Sequence, residues 1–101
     1  MAQIFWAESA RLALAQLIVS HSLPADTRER VTLSLRPLAR FPRLGPQIER
    51  LSDGKELRFL IGPWPWLVLI YTYDEQTDRV TVVSPEDGRA ATSTLSALDE
   101  R

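Results

Sequence analysis

The stretch "ELRFLIGPWPWLVLIYTYDEQTDRVTVVS", residues 56–84, decides the fold. "ELRFLIG" (56–62) alternates in part, with Leu57, Phe59 and Ile61 on one face, as a half-buried strand does. "WLVLIYTY" (66–73) is apolar on both faces from Trp66 to Tyr71, the pattern of a central strand. "DEQTD" (74–78) reads as a turn and "RVTVVS" (79–84) as a third strand. "PEDG" (85–88) has turn chemistry, with proline at the second turn position. Short connections between three strands predict an antiparallel meander.

Upstream the periodicity changes. "QIFW" (3–6) is short, aromatic and β-branched, and reads as an opening strand. In "ESARLALAQLIVSH" (8–21), Ala10, Ala13, Leu14, Leu17 and Ile18 recur at helical spacing, while Leu12 and Val19 lie off that stripe. Glu8 suits the positive end of the helix dipole. "SLPAD" (22–26) breaks the helix, and Asp26 with Glu29 has the form of a capping box. A second helix is predicted over 27–40, with Val31, Leu35 and Leu38 on one stripe and a kink or early end at Pro37. "FPRLGPQIERLSDGK" (41–55) reads as a connection anchored by Ile48 and Leu51, and 90–101 as a short helix or mobile tail. One α+β domain over 1–101 is expected: an opening strand, a two-helix hairpin and a three-stranded meander, with the helices packed on one sheet face.

Composition bounds the function. At 45% hydrophobic and 25% charged, the 101-residue chain matches one ordinary globular domain. It has no cysteine and a single histidine, His21, so neither a disulfide framework nor a thiolate metal site is expected, and no metal or cofactor. "MAQIFWAES" lacks the features of a secretory signal, and no apolar run is long enough for a membrane span, so a cytoplasmic location is expected. The net charge of −1 speaks against strong nucleic-acid binding. The charge is uneven: residues 1–50 carry seven basic and four acidic groups, residues 51–101 five and nine.

No catalytic constellation stands out from spacing. His21 ends the first helix, where an imidazolium would interact with the last carbonyls, and no partner that would tune it is near in sequence. Asp74, Glu75 and Asp78 form an acidic cluster without the glycine and final glutamate of a calcium loop, so they read as a solvated turn. Glycines 45, 54, 62 and 88 are dispersed, unlike those of a phosphate loop. Trp64 and Trp66 share a face in an extended chain. They are either a cap on the core or a stacking platform for a base or a partner.

Five motifs in order resemble the RelE/ParE superfamily of type II toxins over about residues 3–89. "FWAESA" (5–10) resembles the opening strand and helix start, and "LARFPRLG" (38–45) the end of the second helix. "GKELRFLIG" (54–62) and "LIYTYD" (69–74), with Tyr71, are similar to the first meander strand and the tyrosine-bearing central strand. "VTVVSPEDGR" (80–89) resembles the last strand with its Gly-Arg ending.

The resemblance implies a small toxin silenced by a cognate antitoxin in a hetero-oligomer. RelE-like members cut messenger RNA on the ribosome, whereas ParE-like members poison DNA gyrase. The ribonuclease cations would map to Lys55, Arg58 and Arg89. Relatives with that activity carry an arginine at the start of the tyrosine strand, where this chain has "WPWLVLIY"; a C-terminal tyrosine is replaced by the region around Leu95. Cleavage by a 2′-hydroxyl needs a base, an acid and cations, and the set is incomplete. The expectation is therefore a ParE-like, non-enzymatic toxin; the alternatives are a ribosome-dependent endonuclease and a non-toxic interaction module. Expected contacts to target or partner are Trp64, Trp66 and Arg89, with Leu12 and Val19 walling an antitoxin groove.

Overall fold

A computed structural model describes residues 1–89; the expectation for 90–101 lies outside the described residues. The elements are β1 (Gln3–Trp6), α1 (Glu8–Ser20), α2 (Thr27–Leu35), α3 (Pro37–Arg40), β2 (Gln47–Arg50), β3 (Glu56–Ile61), β4 (Leu67–Asp74) and β5 (Arg79–Asp87). The fold is α+β. Its five-stranded sheet has the order β1-β5-β4-β3-β2. β1 runs parallel to β5, from Gln3 beside Arg79 to Trp6 beside Val82, and the remaining pairs are antiparallel.

β3 pairs antiparallel with β4 and β4 with β5, and the sheet has one strand more than expected. β2 lies within the segment read as a connection. It is an edge strand of Gln47, Ile48, Glu49 and Arg50, too polar to give a strand pattern. Its hairpin turn to β3 is closed at Leu51–Lys55 and Gly54–Leu51, with Gly54 at φ +91, a conformation that favours glycine.

A second correction concerns "PEDG". Pro85, Glu86 and Asp87 continue β5 opposite Leu69, Val68 and Leu67. Proline is tolerated in a strand at an edge or near a bulge. Both conditions hold here. β1 stops at Trp6 beside Val82, and the register shifts between Ile70 and Tyr71.

The helix boundaries follow local chemistry. α1 closes with a Schellman arrangement: Leu23 N–H donates to Ile18 O at 2.9 Å and Ser22 N–H to Val19 O at 3.2 Å, with Ser22 at φ +50. The capping box is not formed. Asp26 makes no cap bond and instead accepts from Arg30 at 2.9 Å. The buried Thr27 hydroxyl holds the start of α2 by donating to Pro24 O at 2.6 Å. Pro37 ends the second helix early, as expected, and begins the short α3.

One buried cluster joins Ala10 and Leu14 of α1, Val31 and Leu35 of α2 and Leu38 of α3 to Leu67, Leu69, Tyr71 and Tyr73 of β4 and to Val80 and Val82 of β5. The residues of β4 in this cluster alternate, so they share one sheet face. Cross-strand partners share a face too, which places Glu56, Arg58 and Leu60 on the same side as Tyr73, Tyr71 and Leu69.

The segment before β2 is pressed against β3. A Cβ on Gly45 would collide with the Phe59 carbonyl oxygen. Backbone atoms there cannot give way. Gly45→Ala is therefore expected to destabilise the fold by about 3 kcal/mol or more in urea unfolding; a loss below 1 kcal/mol would show that this approach is not a constraint.

Candidate functional site

Two polar clusters occupy opposite ends of β4. At the Tyr73 end, the Glu56 carboxylate is buried, with its side chain only 3% exposed. Arg43 donates to both of its oxygens, at 3.1, 3.0 and 2.8 Å. Arg58 donates from Nε at 2.8 Å, and its Nη2 lies 2.7 Å from the carboxylate. Arg50 stands at 3.8 Å. The hydrogen bonds from Arg43 and then Arg58 outweigh burial and bring the Glu56 carboxyl down to about 2.

The same arginines clamp the segment before β2. Arg58 Nη1 donates to Gly45 O at 2.7 Å and to Arg43 O at 3.3 Å. Tyr71 is fully buried; its hydroxyl donates to Pro42 O at 2.8 Å and accepts from Gly45 N–H at 3.0 Å. Burial raises its phenol above the ordinary value. The tyrosine that resembled a family feature is thus a structural clasp. In the hairpin turn, Asp74 accepts from Gln76 N–H at 3.0 Å, Glu75 pairs with Arg43 at 3.1 Å and Asp78 accepts from Tyr73 at 2.8 Å, so each of the three acidic groups has a partner in the fold. Among the described residues no group of three or more potential ligands is placed to hold a metal.

At the Leu67 end of β4 lies a column of rings. Trp64 and Trp66 stack at 6.0 Å and 16°, and His21 stacks on Trp66 at 5.0 Å and 12°. Arg30 stands over Trp64 at 5.9 Å and Arg89 over Trp66 at 5.5 Å. Both tryptophans pack against the core, and their sharing of a face is seen as an internal stack. The Schellman turn at the end of α1 fixes His21 there. Its Nε2 lies 3.0 Å from Asp87 Oδ2, and its Nδ1 lies 2.9 Å from Ser20 Oγ.

Gly88 shapes the other half of this cluster. Its N–H donates to the Trp66 carbonyl, and a Cβ would stand 2.9 Å from that oxygen. The chain turns back so that Arg89 donates to Asp87 at 3.0 and 2.7 Å. The Arg89 guanidinium, and after it the His21 ring, hold the Asp87 carboxyl well below the usual carboxylate range. Sequence spacing missed the His21–Asp87 pair because 66 residues separate its members.

The other expected residues fall as follows. Leu12 and Val19 are 61% and 80% exposed on α1, away from the buried Ala10 and Leu14. Lys55 lies 3.7 Å from Asp53. Arg58 is tied into the Glu56 cluster with a side chain 12% exposed. Lys55 adjoins Glu56, which pairs with Tyr73, whereas Arg89 follows Asp87, which pairs with Leu67. The intervening length of β4 is about 20 Å. The three cations do not converge.

The sequence matches no known family model and no curated protein. No helix among the described residues is long and apolar enough to cross a membrane.

Glu56 has a lowered carboxyl in the folded state, so its contribution to stability is full above about pH 4.5 and is lost as the pH falls through about 2. Replacing it with glutamine leaves Arg43 and Arg58 without their anion. Glu56→Gln is expected to cost about 3 kcal/mol at neutral pH. The stability difference between wild type and variant should shrink in acid, as followed by urea unfolding at a series of pH values. A difference that is constant with pH would remove Glu56 from this role.

Proposed function

We propose that this chain is the toxin of a type II toxin–antitoxin pair, built on a RelE/ParE-like arrangement with the helices on one sheet face. It acts in the cytoplasm in the ParE manner, by binding DNA gyrase rather than by cutting RNA, and a cognate antitoxin silences it. The observation that carries the reading is the separation of Lys55, Arg58 and Arg89. Stabilising a developing phosphorane needs cations at one point. Here Arg58 is committed to Glu56 and the Gly45 carbonyl, and the other two stand at opposite ends of β4. The opening strand, helices and antiparallel strands support the same reading. So do Leu12 and Val19, which offer a partner apolar surface on α1.

One observation favours the ribonuclease alternative. His21 and Arg89 meet on Asp87 beside Trp66, which puts a proton-transfer group and a cation together. A direct comparison separates the two. In a supercoiling assay the purified chain should inhibit gyrase or stabilise cleaved DNA, and induced cells should show no new codon-linked message ends by primer extension. Inert behaviour toward gyrase, with message ends that vanish in His21→Ala and Arg89→Ala, would replace this proposal by the endonuclease.

A further inference from the structure

A third feature plays no part in either cluster. Between α1 and α2 lies a concavity of about 270 Å³, lined by Trp6, Arg11, Leu14, Arg28 and Thr32. That is near the lower end of small-molecule sites. Two separate helices each supply a guanidinium, and no carboxylate lines it. Arg30, Arg43, Arg50, Arg58 and Arg89 all hold carboxylates, whereas the guanidinium groups of Arg11 and Arg28, like those of Arg36 and Arg40, have no carboxylate partner among the described residues.

We propose that this concavity binds a small organic phosphate: a phosphate monoester carrying a compact apolar group. Two unpaired guanidinium groups facing one space repel each other, and an anion between them removes that repulsion while accepting forked hydrogen bonds. A phosphate monoester has three terminal oxygens, enough for both forks, whereas a carboxylate has two. Thr32 donates its proton to Arg28 O at 2.9 Å, so its oxygen remains an acceptor for the P–OH of a monoanionic ester. Leu14 is buried and Trp6 is half-buried; together they give an apolar wall for the organic part. Arg28 and Thr32 are one turn apart on α2, and Arg11 and Leu14 are one turn apart on α1, so each helix offers one polar and one further contact to the same space. This site is independent of the toxin reading.

Phenyl phosphate is the probe, titrated into the full chain while the three tryptophan indole N–H resonances are followed by NMR. The Trp6 resonance, assigned with Trp6→Phe, should shift saturably while those of Trp64 and Trp66 stay in place. Binding should be tighter than that of inorganic phosphate and of benzoate. Arg11→Gln and Arg28→Gln should each weaken it by roughly tenfold or more, the loss expected for one charge-assisted hydrogen bond. Arg50→Gln, on the far edge strand, should leave it unchanged. Each arginine variant replaces an exposed side chain, and an unchanged thermal midpoint verifies its fold. A shift that does not saturate, equal loss in Arg50→Gln, or binding no tighter than that of benzoate would overturn the proposal.

Discussion

The buried carboxylate of Glu56 is the constraint on which the rest of the structure depends. It sits on the core face of β3 opposite Tyr73, where a charge is tolerated only with partners. Arg43 and Arg58 supply them, and each reaches from a different segment. Arg58 then passes the link on to the Gly45 carbonyl, and Tyr71 closes the same segment from the neighbouring strand. This cross-linking holds the chain between α3 and β2 against the sheet and lets a short polar strand add to the edge. It also has a functional consequence. An arginine that looks available in sequence is tied into the fold.

The opposite end of β4 is built on a different balance. Rings rather than charges supply the contact area, and the ionic groups border the stack. His21 and Arg89 share Asp87, while Arg30 lies over Trp64 and also pairs with Asp26. Pro63 and Pro65 have fixed φ angles, and Pro65 restricts the backbone of Trp64 before it. Gly88 allows the close return of the chain. The tryptophans thus serve the core and the cluster together. Whatever contacts this end of the molecule meets a surface of set geometry.

Legibility in the sequence followed the strength of local pattern. The central strand, the first helix and the break at Pro37 were readable because apolar periodicity and proline chemistry act over a few residues. β2 was not readable, since an edge strand of Gln47, Glu49 and Arg50 carries no apolar alternation; the Asp53–Gly54 pair was its one usable signal. Pro85 misled because its tolerance depends on where β1 ends, which is a tertiary fact. Asp26 had the right spacing for a cap, but Arg30 competes for the same carboxylate. Helical phase set Leu12 and Val19 off the core stripe, but their apolar character suggested a second covered side of the helix, and both are exposed. The His21–Asp87 pair and the Glu56 cluster were not, because both are made by long-range contacts between residues of ordinary type.

The central claim is that the arginines divide into those fixed inside the fold and those left open. The most direct measurement is hydrogen exchange at the arginine Nε–H groups, resolved residue by residue by NMR. Arg58 should be strongly protected, with Arg43 next, while Arg11 and Arg28 should exchange as fast as free side chains. Comparable rates for Arg58 and Arg11 would contradict the account, because Arg58 would then be as available for chemistry as any surface cation.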